Sequence, residues 1–172
     1  MDSKDDIQYP YMPEGRMVRY VPADNAFMQE AEKVRNDHST ESKQPTGAVI
    51  VKNDIVVAFG ANKSRVRRGS WAYDLHQKYC IRKLFRVPSG TKYWLCPGCA
   101  SHRDHAEARA VRDAHKRGVD ASGADLYLYG HWWCCTPCWD AMIAAGIRDV
   151  YLLEGSDKLF DHTHTDTVIG EQ

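Results

Sequence analysis

Apolar residues recur along the chain with two periods, and each period predicts one type of element. Short apolar runs at 48–51 and 55–59 flank Lys52-Asn53-Asp54, whose residue types favour a tight turn, so a β-hairpin is predicted. Two more strands are expected near 126–129 and 149–153. Apolar residues at helical spacing predict three helices, the first capped by Asp24-Asn25: 27–35, 107–116 and 139–145. Strands that alternate with helices predict an α/β fold, with a mixed sheet covered on both faces.

One folded domain with two less regular ends is expected. A chain of 172 residues is long enough for one core and too short for two ordinary domains. Residues 1–22 are rich in proline, tyrosine and charge without a sustained period, so we interpret them as an extended N-terminal arm. The domain then spans 23–155, and residues 156–172 are expected to form a mobile tail that includes His162 and His164.

The segment 62–103 is the least regular part of the domain, and we interpret it as an insertion. A structureless loop of roughly forty residues is uncommon in a compact domain, so some feature must order it. We expect a helix near 71–83 followed by a metal-stabilised turn.

The cysteines of the insertion indicate what that metal site would be. Cys96-x-x-Cys99 followed by His102 has the spacing of a compact zinc knuckle, and Pro97-Gly98 supplies its tight turn. Together with Cys80, these residues are predicted to hold a second, structural zinc ion. The alternative is that the three cysteines are buried or free thiols and that His102 merely lies near the motif described next.

Charge and composition narrow the functional class. Lys and Arg number 23, as do Asp and Glu, which argues against a dedicated polynucleotide binder. No apolar run reaches membrane-spanning length, and the N-terminus lacks the hydrophobic region of a signal peptide. Six cysteines without an export signal favour metal binding in a reducing compartment, so a cytoplasmic location is expected.

Two short motifs, His105-Ala106-Glu107 and Cys134-Cys135-Thr136-Pro137-Cys138, each lie where a predicted helix begins. The unpaired N–H groups of a helix start favour thiolate over thiol. His105, Cys135 and Cys138 would therefore give zinc three ligands and leave the fourth position open to water. Glu107 is within reach of that water as a proton shuttle.

Two alternatives apply to this site. It would be a closed structural zinc site if a fourth protein ligand existed, and Glu107 would then be an ordinary charge at a helix start. The absence of an obvious fourth ligand in the sequence favours catalysis. Cys134 competes with Cys135 as a ligand, but the C-x-x-C spacing of Cys135 and Cys138 fits one metal better than adjacent thiols do.

These motifs resemble the signature of the cytidine and deoxycytidylate deaminase superfamily, H-x-E followed by P-C-x-x-C. Segments 47–51, 123–128 and 141–150 also look like strands and a helix of that family, in the right order. The resemblance implies a three-layer α/β/α sandwich with about five strands. It also implies a homo-oligomer that hydrolytically deaminates a cytosine-type base with zinc and Glu107, dCMP being the leading substrate.

Three positions depart from the family pattern. Cys134 stands where the family usually has Pro, Arg109 replaces the Asn of H-A-E-x-N, and 129–133 is about two residues longer than usual. The Arg109 departure leaves the substrate open. One alternative is therefore a deaminase of tRNA or single-stranded nucleic acid. Another is a zinc module without catalytic activity, but such a module would have no need of Glu107.

The resemblance implies substrate contacts at Asn62, which would face the sugar, and at Ala106 and Trp133. His131 and Trp132 precede Trp133, and such aromatic residues either stack on a base or fill the core. Arginines that follow Asn62 are predicted to clamp a phosphate: Arg65, Arg67 and Arg68. The alternatives are a turn role for Asn62 and a solvated face for the arginines.

Overall fold

A five-stranded mixed sheet forms the centre of the molecule in a computed structural model that describes residues 11–87, 92–161, 164–166 and 168. Its strands are β1 Met17–Val21, β2 Gly47–Lys52, β3 Ile55–Ala61, β4 Asp125–Tyr129 and β5 Asp149–Leu153. They lie in the order β1-β5-β4-β2-β3. Strands β1, β5 and β4 are parallel, whereas β2 runs antiparallel to both β4 and β3.

Helices cover both faces of the sheet. They are α1 Ala26–His38, α2 Trp71–Lys78, α3 Ile81–Leu84, α4 Ala106–Lys116, α5 Thr136–Ala144 and α6 Ser156–Leu159. Met28 and Ala31 of α1 pack with Val49 on one face. Residues of α4 and α5, among them Ala110 and Trp139, are buried on the other. The predicted three-layer α/β fold is confirmed.

Local sequence explains the first helix and the hairpin. The side chain of Asn25 accepts hydrogen bonds from the backbone N–H groups of Phe27 and Met28, as an N-cap does. Asn53 and Asp54 have φ values of 52° and 59° between β2 and β3. Two consecutive residues with positive φ make the turn whose twist suits a two-residue hairpin, and Asn and Asp tolerate that conformation.

Gly60 allows helix α4 to lie directly on strand β3. A Cβ at residue 60 would lie 2.3 Å from the backbone N of Ala110 and 2.4 Å from the carbonyl O of Ala106. Any larger residue would therefore push the helix away from the sheet. Since α4 begins at Ala106, this close packing fixes the position of the residues that precede and open the helix.

The structure corrects the predicted ends of the domain. Met17–Val21, expected within an extended arm, form edge strand β1 and pair with β5 over their whole length. Ser156–Leu159, expected in the tail, form α6, and Phe160 after them is fully buried. His162 lies outside the described residues. Apolar residues on one side of these segments explain why they pack, because Val18 and Phe160 each reach a core cluster.

The insertion is ordered by two short helices instead of the single helix expected over 71–83. Helix α2 ends before Tyr79, whose backbone is extended, and α3 begins after Cys80. Short 3-10 turns at Tyr93–Leu95 and His102–Asp104 complete its described part. No helix among the described residues is both long enough and apolar enough to cross a membrane.

Candidate active site

Two helix starts converge on one side of the sheet and bring the predicted ligands together. His105 is the N-cap residue of α4 and Cys135 that of α5, and both have extended backbone angles. Neither side chain makes a capping hydrogen bond, so neither is used to cap its helix and both can act as metal ligands. Cys138 lies in the first turn of α5, where Pro137 suits the opening of the helix.

The distances between these three side chains suit a tetrahedral zinc ion. Nδ1 of His105 lies 3.5 Å from Sγ of Cys135 and 3.5 Å from Sγ of Cys138. The two sulfur atoms are 3.2 Å apart. Zinc–sulfur bonds of about 2.3 Å at tetrahedral angles separate two sulfur ligands by roughly 3.8 Å, so a small outward adjustment accommodates the ion. The three residues therefore fit zinc and leave one position without a protein ligand.

The electrostatic interactions among His105, Cys135 and Cys138 favour the thiolate form of Cys135. The hydrogen bond between Cys135 and Cys138 lowers the pKa of the Cys135 thiol to about 5, and His105 adds to this effect. Burial lowers the pKa of His105, but the Cys135 hydrogen bond and the charge of Glu107 outweigh it and raise the value. Zinc binds thiolate and neutral imidazole. Its binding would therefore release the protons that His105, Cys135 and Cys138 share.

Glu107 is buried beside these ligands, and Cys134 is its partner. Burial raises the pKa of the Glu107 carboxyl group, and the side chain of Cys134 hydrogen-bonds to it. Burial and the charge of Glu107 raise the pKa of Cys134 well above its ordinary value, so this thiol keeps its proton and donates it. Cys134 is absent from the group that could hold a metal. The structure thus gives the adjacent cysteines different roles.

A cavity of about 350 Å³ opens over this group. His105, Glu107 and Cys135 line it, as do the predicted contacts Ala106, Asn62 and Trp133. The ring of His131 stacks on Trp132 with centroids 4.7 Å apart and meets Trp133 edge to face at 4.8 Å. The cavity therefore combines an aromatic wall with a buried carboxylate and two of the three candidate metal ligands.

Residues 22–154 match the model of a protein family described as the cytidine and deoxycytidylate deaminase zinc-binding region. The chain belongs to this family. The fold of the chain and its His-Cys-Cys group agree with that description, and the predicted zinc cofactor is confirmed. No curated protein matches the chain.

Solved structures similar to this chain differ in the activities that their names state. The dCMP deaminase of cyanophage S-TIM5 is 21% identical over 78% of this chain and 86% of its own, with a TM-score of 0.46. A diaminohydroxyphosphoribosylaminopyrimidine deaminase/5-amino-6-(5-phosphoribosylamino)uracil reductase from Thermotoga maritima is 24% identical over 73% of this chain, with a TM-score of 0.43. This chain covers only 28% of that longer protein. Guanine deaminase from Bacillus subtilis is 20% identical over 76% and 65% of the two chains, with a TM-score of 0.41.

Asn62 lines the cavity, but the fold itself uses most of its hydrogen-bonding capacity. Its Oδ1 accepts from Ser39 Oγ at 2.6 Å and from the backbone N of Thr46 at 2.9 Å. Its Nδ2 donates to the carbonyl of Gln44 at 2.7 Å. An amide nitrogen has two hydrogens, so one N–H is left for the predicted sugar contact. Asn62 thus holds the connection between α1 and β2 against the cavity.

The predicted phosphate clamp is not part of this cavity. Arg65, Arg67 and Arg68 are exposed in the connection between β3 and α2, and none of them lines it. After β3, the backbone N of Lys63 donates to the carbonyl of Asp104 beside the site, and the three arginines that follow are exposed to solvent. The cavity instead receives its cationic side chains from other segments: Lys43, Arg82 and Lys83. Sequence patterns gave no sign of this, because only the folded insertion brings Arg82 and Lys83 near the motifs.

A second group of donors lies in the insertion, with one ligand different from the prediction. The three predicted cysteines gather around His76 instead of His102. His102 is exposed in the 3-10 turn before α4, whereas His76 lies in the last turn of α2. Burial and the charge of Lys43 lower the pKa of His76 to about 4, so its ring is neutral near pH 7. The missed signal is the H-x-x-x-C spacing of His76 and Cys80, a short interval typical of two ligands of one zinc site.

Proposed function

We propose that this protein hydrolytically deaminates the cytosine base of a (deoxy)cytidine nucleotide, with conversion of dCMP to dUMP as the leading reaction. The observation that carries the proposal is the burial of Glu107 beside three ligands that leave one position open, at the foot of a cavity. A closed structural site would have four protein ligands and no use for a buried carboxylate. The family description, which names cytidine and deoxycytidylate, supports a pyrimidine base.

The residues of the chain divide the reaction between them. Zinc held by His105, Cys135 and Cys138 would supply a Lewis acid that makes water acidic enough to react near neutral pH. The carboxylate of Glu107 accepts a proton from the attacking water, and the oxygen of that water forms a bond to C4 of the base. Glu107 passes this proton to ring nitrogen N3. It then takes the remaining proton from the new C4 hydroxyl group and donates it to the amino group, so that C4=O forms while the C4–N bond breaks and ammonia leaves. A carboxyl group whose pKa is raised by burial suits both directions of transfer.

Recognition of the nucleotide follows from the cavity walls. The stacked rings of His131 and Trp132 present a flat apolar surface of the kind on which a base stacks. Lys43 and Lys83 line the cavity and place positive charge where a phosphate would be attracted. A volume of about 350 Å³ suits a small ligand rather than a folded polymer.

The test is a substrate panel that separates base, sugar and phosphate. Purified protein is incubated with cytosine, cytidine, deoxycytidine, CMP, dCMP, dCTP, guanine and a single-stranded DNA oligonucleotide, and ammonia and the product base are measured. We expect uracil formation from a monophosphate nucleotide to show the highest kcat/KM. Guanine as the best substrate, or the oligonucleotide, would contradict the proposal, as would the absence of turnover in protein that retains its zinc.

The phosphate contact has its own test within this panel. The double variant Lys43→Ala/Lys83→Ala should lower kcat/KM for dCMP by about tenfold to a hundredfold, because a charge-assisted hydrogen bond is worth roughly 1.5–3 kcal/mol. Its kcat/KM for deoxycytidine should change little. Arg67→Ala is the matched control, since that arginine is exposed and outside the cavity. Equal losses on nucleotide and nucleoside would exclude phosphate binding by the two lysines.

Self-association and a cytoplasmic location stay predictions, and sedimentation of the purified protein measures the first of them. A nucleic acid substrate is not favoured, since the chain has balanced charge. Its test is the oligonucleotide in the panel above.

A further inference from the structure

The insertion contains a compact group of metal ligands that the deamination chemistry does not use. Sγ of Cys80 lies 3.5 Å from Sγ of Cys99 and 4.0 Å from Sγ of Cys96. Sγ of Cys96 lies 3.3 Å from Nδ1 of His76. The two sulfur–sulfur separations bracket the distance of roughly 3.8 Å expected between two sulfur ligands of one tetrahedral zinc ion. Three cysteines and one histidine are a common ligand set of structural zinc sites.

We propose that His76, Cys80, Cys96 and Cys99 bind a second zinc ion, and that this ion fixes the insertion as one wall of the substrate cavity. All four side chains are buried, and the group includes no carboxylate among the described residues. Four protein ligands leave no position for water, so the ion is structural. This distinguishes it from the three-ligand group at the foot of the cavity.

The backbone around the four ligands is shaped for this arrangement. Cys80 is the N-cap residue of α3 and makes no capping hydrogen bond with its side chain. The backbone N of Cys99 donates to the carbonyl of Cys96 at 3.2 Å and closes the turn between the two thiols. A Cβ on Gly98 would lie 2.2 Å from Cγ of His76, so only glycine lets the imidazole lie against this turn. Ser64 donates to the carbonyl of Gly98 at 2.8 Å and ties the turn to the domain.

Arg82 provides the charge that such a site requires. A zinc ion with three thiolates and a neutral imidazole carries one net negative charge, which is unfavourable beside a buried cavity wall unless a cation compensates it. The side chain of Arg82 hydrogen-bonds to Cys99 and places a guanidinium group there. Hydrogen bonds to ligand atoms of this kind orient the ligands of a metal site.

Contacts continue from Arg82 to the foot of the cavity. The guanidinium carbon of Arg82 lies 4.1 Å from the ring centroid of Tyr93. Tyr93 in turn meets the ring of His105 edge-on, with centroids 5.2 Å apart. Cys80, Arg82, Tyr93 and Cys99 all line the cavity. The second ion therefore holds the residues that enclose the substrate and that flank one ligand of the first ion.

Metal content measured without substrate tests this proposal directly. Elemental analysis of the reduced, purified chain should give two zinc ions per chain in the wild type and one in Cys96→Ser or His76→Ala. His76→Cys replaces one ligand with another and should restore two. His102→Gln is the matched control, because His102 is exposed and outside the group, and it should also retain two.

Trypsin provides a second measurement, since Arg82, Lys83 and Arg86 are cleavage sites within the insertion. Loss of the ion should speed cleavage there by about tenfold or more in His76→Ala, while His76→Cys and His102→Gln are cut at the wild-type rate. One zinc ion per wild-type chain, or two in Cys96→Ser, would overturn the proposal. A chain with two zinc ions that turns over no substrate would refute the proposed deamination instead.

Discussion

At the scale of single residues, the proposed chemistry depends on which of three neighbouring cysteines bind the metal and which one contacts the carboxylate of Glu107. Cys135 and Cys138 lie with His105, while Cys134 hydrogen-bonds to Glu107. The carboxyl group is buried, so its proton affinity is set by the protein and not by bulk water. The proposed proton carrier, Glu107, therefore lies beside the metal-binding group and is not one of its ligands.

Replacement of Glu107 by glutamine should separate metal binding from catalysis. The variant keeps the size of the side chain but cannot carry a proton, so turnover should fall by at least about 10²–10⁴-fold while zinc content is unchanged. Ammonia release and elemental analysis measure the two effects. Glu30→Gln is the control, because Glu30 is exposed on α1. A near-normal rate in Glu107→Gln would remove the proton-transfer role.

The variant Cys134→Ala tests the division between adjacent cysteines. Its zinc content should equal that of the wild type, because Cys134 is not among the ligands. Its kcat should fall by about tenfold, the rough value of one hydrogen bond of 1–1.5 kcal/mol to Glu107. Cys135→Ala should lose the catalytic zinc instead. The opposite result, with zinc lost from Cys134→Ala and kept by Cys135→Ala, would make Cys134 the ligand.

Sequence reasoning could locate these residues because they occupy two short motifs. His105, Glu107, Cys135 and Cys138 lie at helix starts, so the two motifs alone place them at the ends of their helices. Arg82 and Lys83 could not be located in this way. They reach their positions only through the path of the insertion, which carries no repeating pattern.

At the scale of elements, the site depends on the packing of α4 against β3. Gly60 sets their separation, and Gly47 does the same for β2 and α1, where a Cβ would lie 2.3 Å from the carbonyl O of Ala31. Both contacts involve backbone atoms, so neither can be relieved by a side-chain rotation. Only the contact at Gly60 supports a helix that begins at the metal group.

The variants Gly60→Ala and Gly47→Ala should therefore lose stability alike but differ in function. Overpacking costs roughly 1–3 kcal/mol, and each kcal/mol lowers the thermal midpoint by about 2–4 °C in a domain of this size. In Gly60→Ala, displacement of His105 and Glu107 should also lower kcat by about tenfold to a hundredfold at a temperature where the chain is folded. An equal loss of kcat in folded Gly47→Ala would show that helix α4 has no special role.

The elements themselves were predictable to the extent that their periods were regular. Strands β2 to β5 and helices α1, α4 and α5 have clear apolar patterns and agree with expectation. Strand β1 escaped prediction because its middle residues, Arg19 and Tyr20, are exposed at the sheet edge. An edge strand in contact with only one neighbour needs little apolar surface.

At the scale of the whole molecule, β1 forms one edge of the sheet and pairs with β5. Arg19 Nε donates to Asp149 Oδ2 at 2.9 Å, and the two strands pair in parallel over five residues. Trp139 Nε1 in turn donates to the carbonyl of Tyr11 at 3.0 Å, so the segment before β1 also reaches the core. The N-terminal segment is therefore part of the folded domain from residue 11 onward.

Two truncated chains would measure the contribution of β1. Removal of residues up to 16 leaves β1 in place, whereas removal up to 21 deletes it and exposes the edge of β5. We expect the chain that lacks β1 to have a thermal midpoint several degrees lower than the chain that keeps it. It should also aggregate as its concentration rises, because an uncovered strand edge pairs with other chains. Light scattering and calorimetry record both effects. Equal midpoints and equal solubility would show that β1 is dispensable.

The uneven exposure of the tryptophans has a consequence for optical measurements. Trp71 and Trp94 lie in the insertion and are 79% and 75% exposed, whereas Trp133 and Trp139 are 6% and 1% exposed. A quencher dissolved in water reaches the indoles of the insertion and not those of the core. The emission of the buried pair shifts to longer wavelength only when the domain opens. Intrinsic fluorescence thus carries two separable signals, one for the looseness of the insertion and one for the integrity of the sheet, in a chain that needs no attached dye.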